Sequence, residues 1–136
     1  AEIEPALVDW LRAGVVPHGP PLLADPRVDV VVGDLADVVA RSTRAAYDLV
    51  LLDVDNGPGQ LVHEANAGLY RPPFLRRIRG LLRPGGALVV WSAAREPGLA
   101  ATLGEVFAEA DEIDCPVTLQ GRREHYWLYV GRVGGR

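Results

Sequence analysis

The sequence predicts an α/β fold built on a mainly parallel sheet, with an antiparallel hairpin formed by the last two strands. Segments with the apolar spacing of amphipathic helices alternate along most of the chain with short runs rich in Val, Leu and Ile. Such alternation is typical of parallel strands joined by right-handed crossovers. The chain has 136 residues, of which 49% are hydrophobic, so it is long enough for one domain with a buried core.

Four segments have the helical spacing of apolar residues, and the first is the best delimited. Pro5 to Ala13 begins with a proline suited to a first helical turn and is followed by Gly14, a common stop signal. The other three helices are predicted over Leu35 to Arg44, Pro73 to Leu82 and Gly98 to Ala110. Between the first two helices, Pro17 to Pro26 contains four prolines and a glycine, which predict a loop.

Five segments predict strands. Three of them are nearly continuous apolar runs, as expected of strands buried on both faces: Val28 to Val32, Leu49 to Leu52 and Ala87 to Trp91. The two closing strands, Glu112 to Leu119 and His125 to Val130, flank a turn over Gln120-Gly121-Arg122-Arg123, which predicts a hairpin at one edge of the sheet. Arg83-Pro84-Gly85-Gly86 predicts a sharp break before the third apolar run.

The charge and cysteine content exclude several classes of function. The formal net charge is −4, and the 14 basic residues, all arginine, are mixed with acids, so no basic stripe favours nucleic acid or an anionic membrane surface as a partner. The single cysteine, Cys115, excludes an intramolecular disulfide and a cysteine-built zinc site, and its surroundings predict a small buried side chain. No signal peptide and no apolar run of about 20 residues is visible, so the cytoplasm is the expected location.

Acidic side chains stand where a parallel sheet binds its ligands, beyond the carboxyl ends of the strands. Asp53 and Asp55 follow the second predicted strand, and Asp34 follows the first. Asp53 is the strongest candidate, as a general base or a cation-holding carboxylate, although an aspartate that caps a turn is the alternative. Asp34 also has the pattern of a helix N-cap, and Glu2 is either a surface acid or a ligand of ribose hydroxyls.

Four segments stand out, in order along the chain: Glu2-Ile3-Glu4-Pro5, Asp25-Pro26-Arg27-Val28 leading to Val32-Gly33-Asp34, Tyr47 to Asp53, and Leu82-Arg83-Pro84-Gly85-Gly86-Ala87-Leu88. In their order and spacing they resemble the spermidine/spermine synthase family of the class I S-adenosylmethionine (AdoMet)-dependent methyltransferase-like superfamily. The resemblance implies a Rossmann-like domain of the AdoMet-methyltransferase type, expected here as a single domain over residues 1–136. It also implies a role in polyamine biosynthesis.

The resemblance implies roles for individual residues. Glu2 would hold the ribose hydroxyls of the nucleoside, Asp34 would accept from the adenine amino group, and Leu35 would pack near the adenine. Asp53 would be the catalytic aspartate, and Tyr47 the tyrosine on the polyamine side. The implied reaction moves an aminopropyl group from decarboxylated AdoMet to a diamine such as putrescine. An ammonium with a pKa of about 10 must first lose a proton, and a carboxylate accepts it.

The sequence departs from the family pattern at two points. The family has a second acid three residues after the catalytic one, whereas Asp55 comes two residues after Asp53, so the loop is rebuilt and Asp55 becomes the candidate for substrate binding. The first strand and the glycine-rich turn of the fold have no counterpart in this sequence. We therefore expect the natural protein to contain an upstream segment.

Two other classes of function remain open. The first is an AdoMet-dependent methyltransferase of unknown acceptor. Tyr47 to Asp55 also resembles the cation-dependent O-methyltransferases, but Trp91-Ser92-Ala93 stands where those have an Asp-Asn pair, so no metal is expected. The second is a non-catalytic nucleoside-binding or interaction domain. The expected partner is a small-molecule amine or another acceptor, and a homodimer is left open.

Overall fold

The computed structural model describes residues 1–135, which divide into two compact units, residues 1–42 and 43–135. The first unit contains α1 (Pro5–Ala13), α2 (Gly19–Leu23) and α3 (Leu35–Arg41). The second unit contains, in chain order, β1 (Tyr47–Leu52), a 3-10 helix (Glu64–Tyr70), α4 (Pro72–Leu81), β2 (Leu82–Ser92), α5 (Pro97–Val106), β3 (Glu109–Leu119) and β4 (Arg122–Arg132). No helix within residues 1–135 combines the length and the apolar character needed to cross a membrane.

The first helix has its predicted bounds because both of its ends are capped. The Glu4 side chain accepts a hydrogen bond from the Ala6 N–H at 3.0 Å, and Gly14 ends the helix with a φ of 76°. The prediction of a loop over Pro17 to Pro26 was wrong, because α2 lies within it. Its prolines occupy the first helical turn, where a missing N–H costs nothing.

Val28 to Val32 does not form the predicted strand. It makes a single parallel bridge between Val32 and Glu2, in which the Glu2 N–H donates to Val31 O at 2.9 Å and the Gly33 N–H donates to Glu2 O at 2.8 Å. The partner segment ends where α1 begins at Pro5, so the ladder has no room to extend. The helix predicted over Leu35 to Arg44 is α3, and it ends earlier, at Arg41, because the chain becomes extended at Ser42.

The second unit is built on a four-stranded sheet in the order β1-β2-β4-β3. The α/β class and the antiparallel C-terminal hairpin are confirmed. The sheet is mixed rather than mainly parallel, because only β1 and β2 pair in parallel. The hairpin turn is tighter than predicted: Gln120 and Gly121 alone connect the strands, both with positive φ, as a two-residue turn of type I′ requires.

The other boundaries shift by a few residues. The predicted break over residues 83–86 is a bulge inside β2, since Tyr47 pairs with Leu82 but Leu49 already pairs with Ala87. The fourth predicted helix stops at Val106, because Phe107 is extended and buried before β3. The observed bounds of the two closing strands are wider than the predicted ones, which ran from Glu112 to Leu119 and from His125 to Val130.

The core of the second unit lies between α4, α5 and one face of β2 and β4. Its fully buried side chains include Leu75, Ile78, Leu88, Val90, Leu103 and Tyr129. Leu49 and Leu51 of β1 are exposed by 52% and 68%, which contradicts the prediction of burial on both faces, because β1 is an edge strand of this sheet. Cys115 on β3 is half-buried rather than buried.

Candidate active site

The loop after β1 lies at the carboxyl edge of the one parallel strand pair. We call residues Asp53–Gly59 the acidic loop. Parallel pairing sets Leu52, the last residue of β1, against Val90 near the end of β2. The Ala93 N–H then donates to Asn56 O at 3.1 Å, which joins the acidic loop to the segment after β2. The carboxyl ends of the two strands therefore form one continuous edge, where ligands of such sheets bind.

Gly57 allows the acidic loop to approach β2 closely. It is buried with a φ of 98°, and a Cβ built on it would lie 2.8 Å from Ser92 Cβ and 3.2 Å from Ser92 Cα. Ser92 is fully buried and cannot move aside without disturbing the core. Only glycine satisfies both the left-handed backbone and the contact.

The 3-10 helix Glu64–Tyr70 holds the acidic loop in place through two side-chain hydrogen bonds. The Asn66 side-chain amide donates to Asp55 Oδ2 at 3.0 Å, and the Tyr70 hydroxyl donates to Val54 O. Burial, and then the nearby negative charges of Asp55 and Asp53, raise the pKa of Tyr70 to about 12. The Tyr70 hydroxyl is thus a permanent donor at neutral pH, and both carboxylates lie near it.

The two acids of the loop differ in their surroundings. Asp53 is exposed, and its carboxylate accepts no hydrogen bond from any residue in the range 1–135. The alternative interpretation of Asp53 as a turn cap requires such a bond to a following N–H. Asp55 is partly buried, has a φ of 57° and accepts the bond from Asn66. The loop therefore presents one free carboxylate and one fixed carboxylate.

Tyr47 does not lie with these acids. It begins β1, whereas Asp53 follows the end of that strand. At about 3.3 Å per residue the two are roughly 20 Å apart along the strand. The structure therefore brings Asp53 and Asp55 together and separates Tyr47 from both.

The remaining predicted residues lie in the first unit. The bridge to Val32 sets Glu2 beside the segment that leads to Asp34. Asp34 caps α3 through a bond from the Ala36 N–H to Oδ1 at 2.7 Å, and Glu2 Oε1 accepts from the Glu4 N–H at 2.8 Å. Each carboxylate keeps its second oxygen without a partner among residues 1–135. Leu35, the first residue of α3, is half-buried.

Sequence patterns gave no sign of Asn66 and Tyr70. Their segment has neither a helical nor an alternating period, and the contacts of Asn66 and Tyr70 span 11 and 16 residues along the chain. No group of three or more His, Cys, Asp or Glu side chains suited to a metal ion exists in the described part of the chain. Trp91, which stands where the cation-dependent O-methyltransferases have an Asp-Asn pair, packs edge-on against Tyr126, with ring centroids 5.1 Å apart.

The chain matches no family model. It is 28% identical over 97 residues to a polyamine aminopropyltransferase of Prochlorococcus marinus. The aligned stretch covers 70% of this chain and 32% of that protein. It is 31% identical over 64 residues to a spermine synthase of Arabidopsis thaliana, covering 47% of this chain and 16% of that protein. A third relative, putrescine N-methyltransferase 3 of Nicotiana tabacum, is 32% identical over 89 residues, or 64% of this chain and 21% of that protein. The chain thus matches about a third or less of the length of these relatives.

Solved structures share the fold at low identity. A probable spermidine synthase from Corynebacterium glutamicum superposes with a TM-score of 0.69 and 21% identity, covering 96% of this chain and 45% of that one. A spermidine synthase from Thermotoga maritima gives a TM-score of 0.70 at 14% identity, with coverage of 99% and 45%. Human methyltransferase-like protein 13, solved in complex with SAH, superposes with a TM-score of 0.65 at 19% identity. The match covers 97% of this chain and 59% of that one. The methyltransferase-like fold is confirmed, and the three curated relatives named above, which are transferases, support the predicted resemblance to the spermidine/spermine synthase family.

Proposed function

We propose that this chain, with its similarity to the spermidine/spermine synthase family, carries out aminopropyl transfer from decarboxylated AdoMet to a diamine such as putrescine. One observation carries the proposal: the acidic loop presents a free carboxylate, Asp53, and a fixed one, Asp55, at the carboxyl edge of the parallel strand pair. A diamine carries two ammonium groups at neutral pH, so it matches two carboxylates of different function.

Asp53 is proposed as the general base. The attacking amine must lose its proton to Asp53 before its lone pair can form a bond to the carbon next to the sulfonium. As the new C–N bond forms, the C–S bond breaks, and its electron pair leaves with methylthioadenosine. Because Asp53 is exposed, its attraction for an ammonium contributes only ~0.2–1 kcal/mol, so we assign it to proton transfer rather than to affinity.

Asp55 is proposed to bind the second ammonium of the diamine. It is partly buried and already oriented, so an ion pair there is less screened than one at Asp53. Tyr47 receives no role at the acceptor, because a full strand separates it from the loop.

Glu2, Asp34 and Leu35 are proposed to bind the nucleoside. Each of the two acids has a carboxylate oxygen available as an acceptor, which fits the hydroxyl and amino donors of adenosine. Leu35 adds an apolar surface next to Asp34. When bound, the co-substrate supplies the electrophilic carbon, and no metal is required for its transfer.

Methyl transfer to an amine is the second candidate, and the similarity to a putrescine N-methyltransferase favours it. Both reactions use an amine and a sulfonium donor, so the acceptor residues would keep their roles. Only the group that is transferred from sulfur, aminopropyl or methyl, would differ.

Calorimetry and product analysis test the two candidates together. The protein is titrated with decarboxylated AdoMet, AdoMet and methylthioadenosine, and is then incubated with putrescine for mass spectrometry. We expect decarboxylated AdoMet and methylthioadenosine to bind more tightly than AdoMet, and spermidine to form. Tighter binding of AdoMet with formation of N-methylputrescine would replace the first candidate by the second. Absence of binding by all three nucleosides would refute both and favour a non-catalytic domain.

A further inference from the structure

We infer that Asn66 is a positioning residue, which fixes the Asp55 carboxylate for the acceptor ammonium, and that Tyr70 fixes the peptide between Asp55 and Asp53. This inference rests on the proposed function and assigns the 3-10 helix Glu64–Tyr70 to acceptor specificity. Neither residue forms part of the roles implied by the family resemblance.

The backbone at Asp55 needs external support. Its φ of 57° is a left-handed conformation that a non-glycine residue adopts at a cost of roughly 1–2 kcal/mol. Such a conformation persists only where surrounding contacts hold it. The contacts here come from the 3-10 helix, 11 residues further along the chain.

The chemistry of Asn66 suits a site for a cation. Its amide donates to Asp55 Oδ2 at 3.0 Å and leaves Oδ1 without a partner among residues 1–135. An arginine or lysine in its place would also orient the carboxylate, but it would neutralise the charge that attracts an ammonium. A neutral amide orients Asp55 and preserves its charge.

Tyr70 controls the geometry between the two acids. Its hydroxyl donates to the carbonyl of Val54, the single residue that separates Asp53 from Asp55. Tyr70 is only 6% exposed, so the hydroxyl has little freedom to move. Gly57 packs closely against Ser92, so the loop that carries the two acids is held both by the 3-10 helix and by the end of β2.

A double-mutant cycle tests whether Asn66 acts through Asp55. Steady-state kinetics with decarboxylated AdoMet and putrescine are measured for Asn66→Ala, Asp55→Asn and the double variant. Loss of a hydrogen bond to a charged group should raise the KM for putrescine about tenfold in Asn66→Ala, with kcat changed by less than about twofold. The double variant should match Asp55→Asn alone, because the two residues act as one unit.

The controls separate positioning from general damage. Gln60→Ala removes an exposed amide just after the acidic loop and should leave KM unchanged. Tyr70→Phe is a test variant: it removes only the hydroxyl and should lower kcat/KM about fivefold, and an unchanged kcat/KM would overturn the role of Tyr70. Additive effects of Asn66→Ala and Asp55→Asn on KM, or a KM for Asn66→Ala equal to that of Gln60→Ala, would overturn the inference.

A second double-mutant cycle, measured by urea unfolding, tests the contact between Asn66 and Asp55 without relying on enzymatic activity. Urea unfolding of the same variants should show coupling between Asn66→Ala and Asp55→Asn, and none between Gln60→Ala and Asp55→Asn. A wild-type protein that binds no diamine would refute the proposed function and the acceptor role of Asn66. Absence of coupling in unfolding would refute the contact itself.

Discussion

Replacing Gly57 with alanine should dislodge the acidic loop from the end of β2. The new Cβ would lie 2.8 Å from Ser92 Cβ and 3.2 Å from Ser92 Cα, and Ser92 is fully buried. Overpacking of this kind costs ~1–3 kcal/mol. The φ of 98° adds a further cost of roughly 1–2 kcal/mol for a side chain in this region. We therefore expect Gly57→Ala to lower the free energy of unfolding by about 3 kcal/mol.

Gly121→Ala is the matched control for the backbone part of this cost. Gly121 also has a positive φ, 79°, but a Cβ there would meet nothing within 4 Å. Its substitution should cost only the conformational part, about 1–2 kcal/mol. Urea unfolding of both variants gives the steric contribution at Gly57 as the difference. Adding Ser92→Gly to Gly57→Ala removes the side-chain clash and should recover part of the loss.

The same variant connects the loop to activity. If the contact with Ser92 sets the position of the acids, Gly57→Ala should lose transfer activity at temperatures where it is still folded. The reasoning fails if Gly57→Ala is no less stable than Gly121→Ala. It fails equally if folded Gly57→Ala keeps wild-type kcat/KM.

Three further changes give distinct outcomes. Asp53→Asn should lower kcat by at least about 100-fold and leave nucleoside affinity in calorimetry nearly unchanged, since general base catalysis contributes about 10²–10⁴-fold; undiminished turnover would remove Asp53 from the mechanism. The raised pKa of Tyr70, about 12, means that its protonated hydroxyl stabilises the fold fully below pH ~10, and that this stability is lost as pH rises from about 10 to 12. Denaturant unfolding against pH should show the loss in wild type, and Tyr70→Phe should lack that component; identical pH curves would contradict the assignment. Asp34→Asn should keep the cap of α3, because asparagine is an equally good N-cap, and should weaken nucleoside binding in calorimetry by turning a donor toward the adenine amino group; unchanged affinity would leave Asp34 with the capping role alone.

Local patterns predicted those elements that are determined by neighbouring residues. The bounds of α1 follow from Pro5 and Gly14, and the C-terminal hairpin follows from two strand segments that are separated only by a short turn containing Gln120 and Gly121. The cap at Asp34 is equally local. In the caps of α1 and α3 the hydrogen-bond partners lie within four residues of each other, and in the hairpin a two-residue turn sets the pairing of two adjacent strands.

The predictions that were wrong, and the residues that were missed, depend on information that the local pattern does not contain. Val28 to Val32 has the composition of a strand, but strand formation depends on a partner, and Glu2 supplies one bridge only. Prolines predicted a loop where they start α2, because the same residue breaks a helix interior and begins a first turn. The pair Asp53 and Asp55 was visible from the turn-rich segment, whereas Asn66 and Tyr70 reach that segment from a 3-10 helix without periodicity.

The connectivity of the sheet bears on when the acidic site forms during folding. A two-residue turn closes the β3–β4 hairpin, whereas residues 53–81 must close before β1 can pair with β2. The longer closure costs ~2 kcal/mol more in chain entropy. Hairpins form within about 1–10 μs, so we expect the β3–β4 pair to precede the parallel pair. We therefore expect the acidic loop to take its position against the end of β2 only after the parallel pair has formed, late in the folding of the second unit.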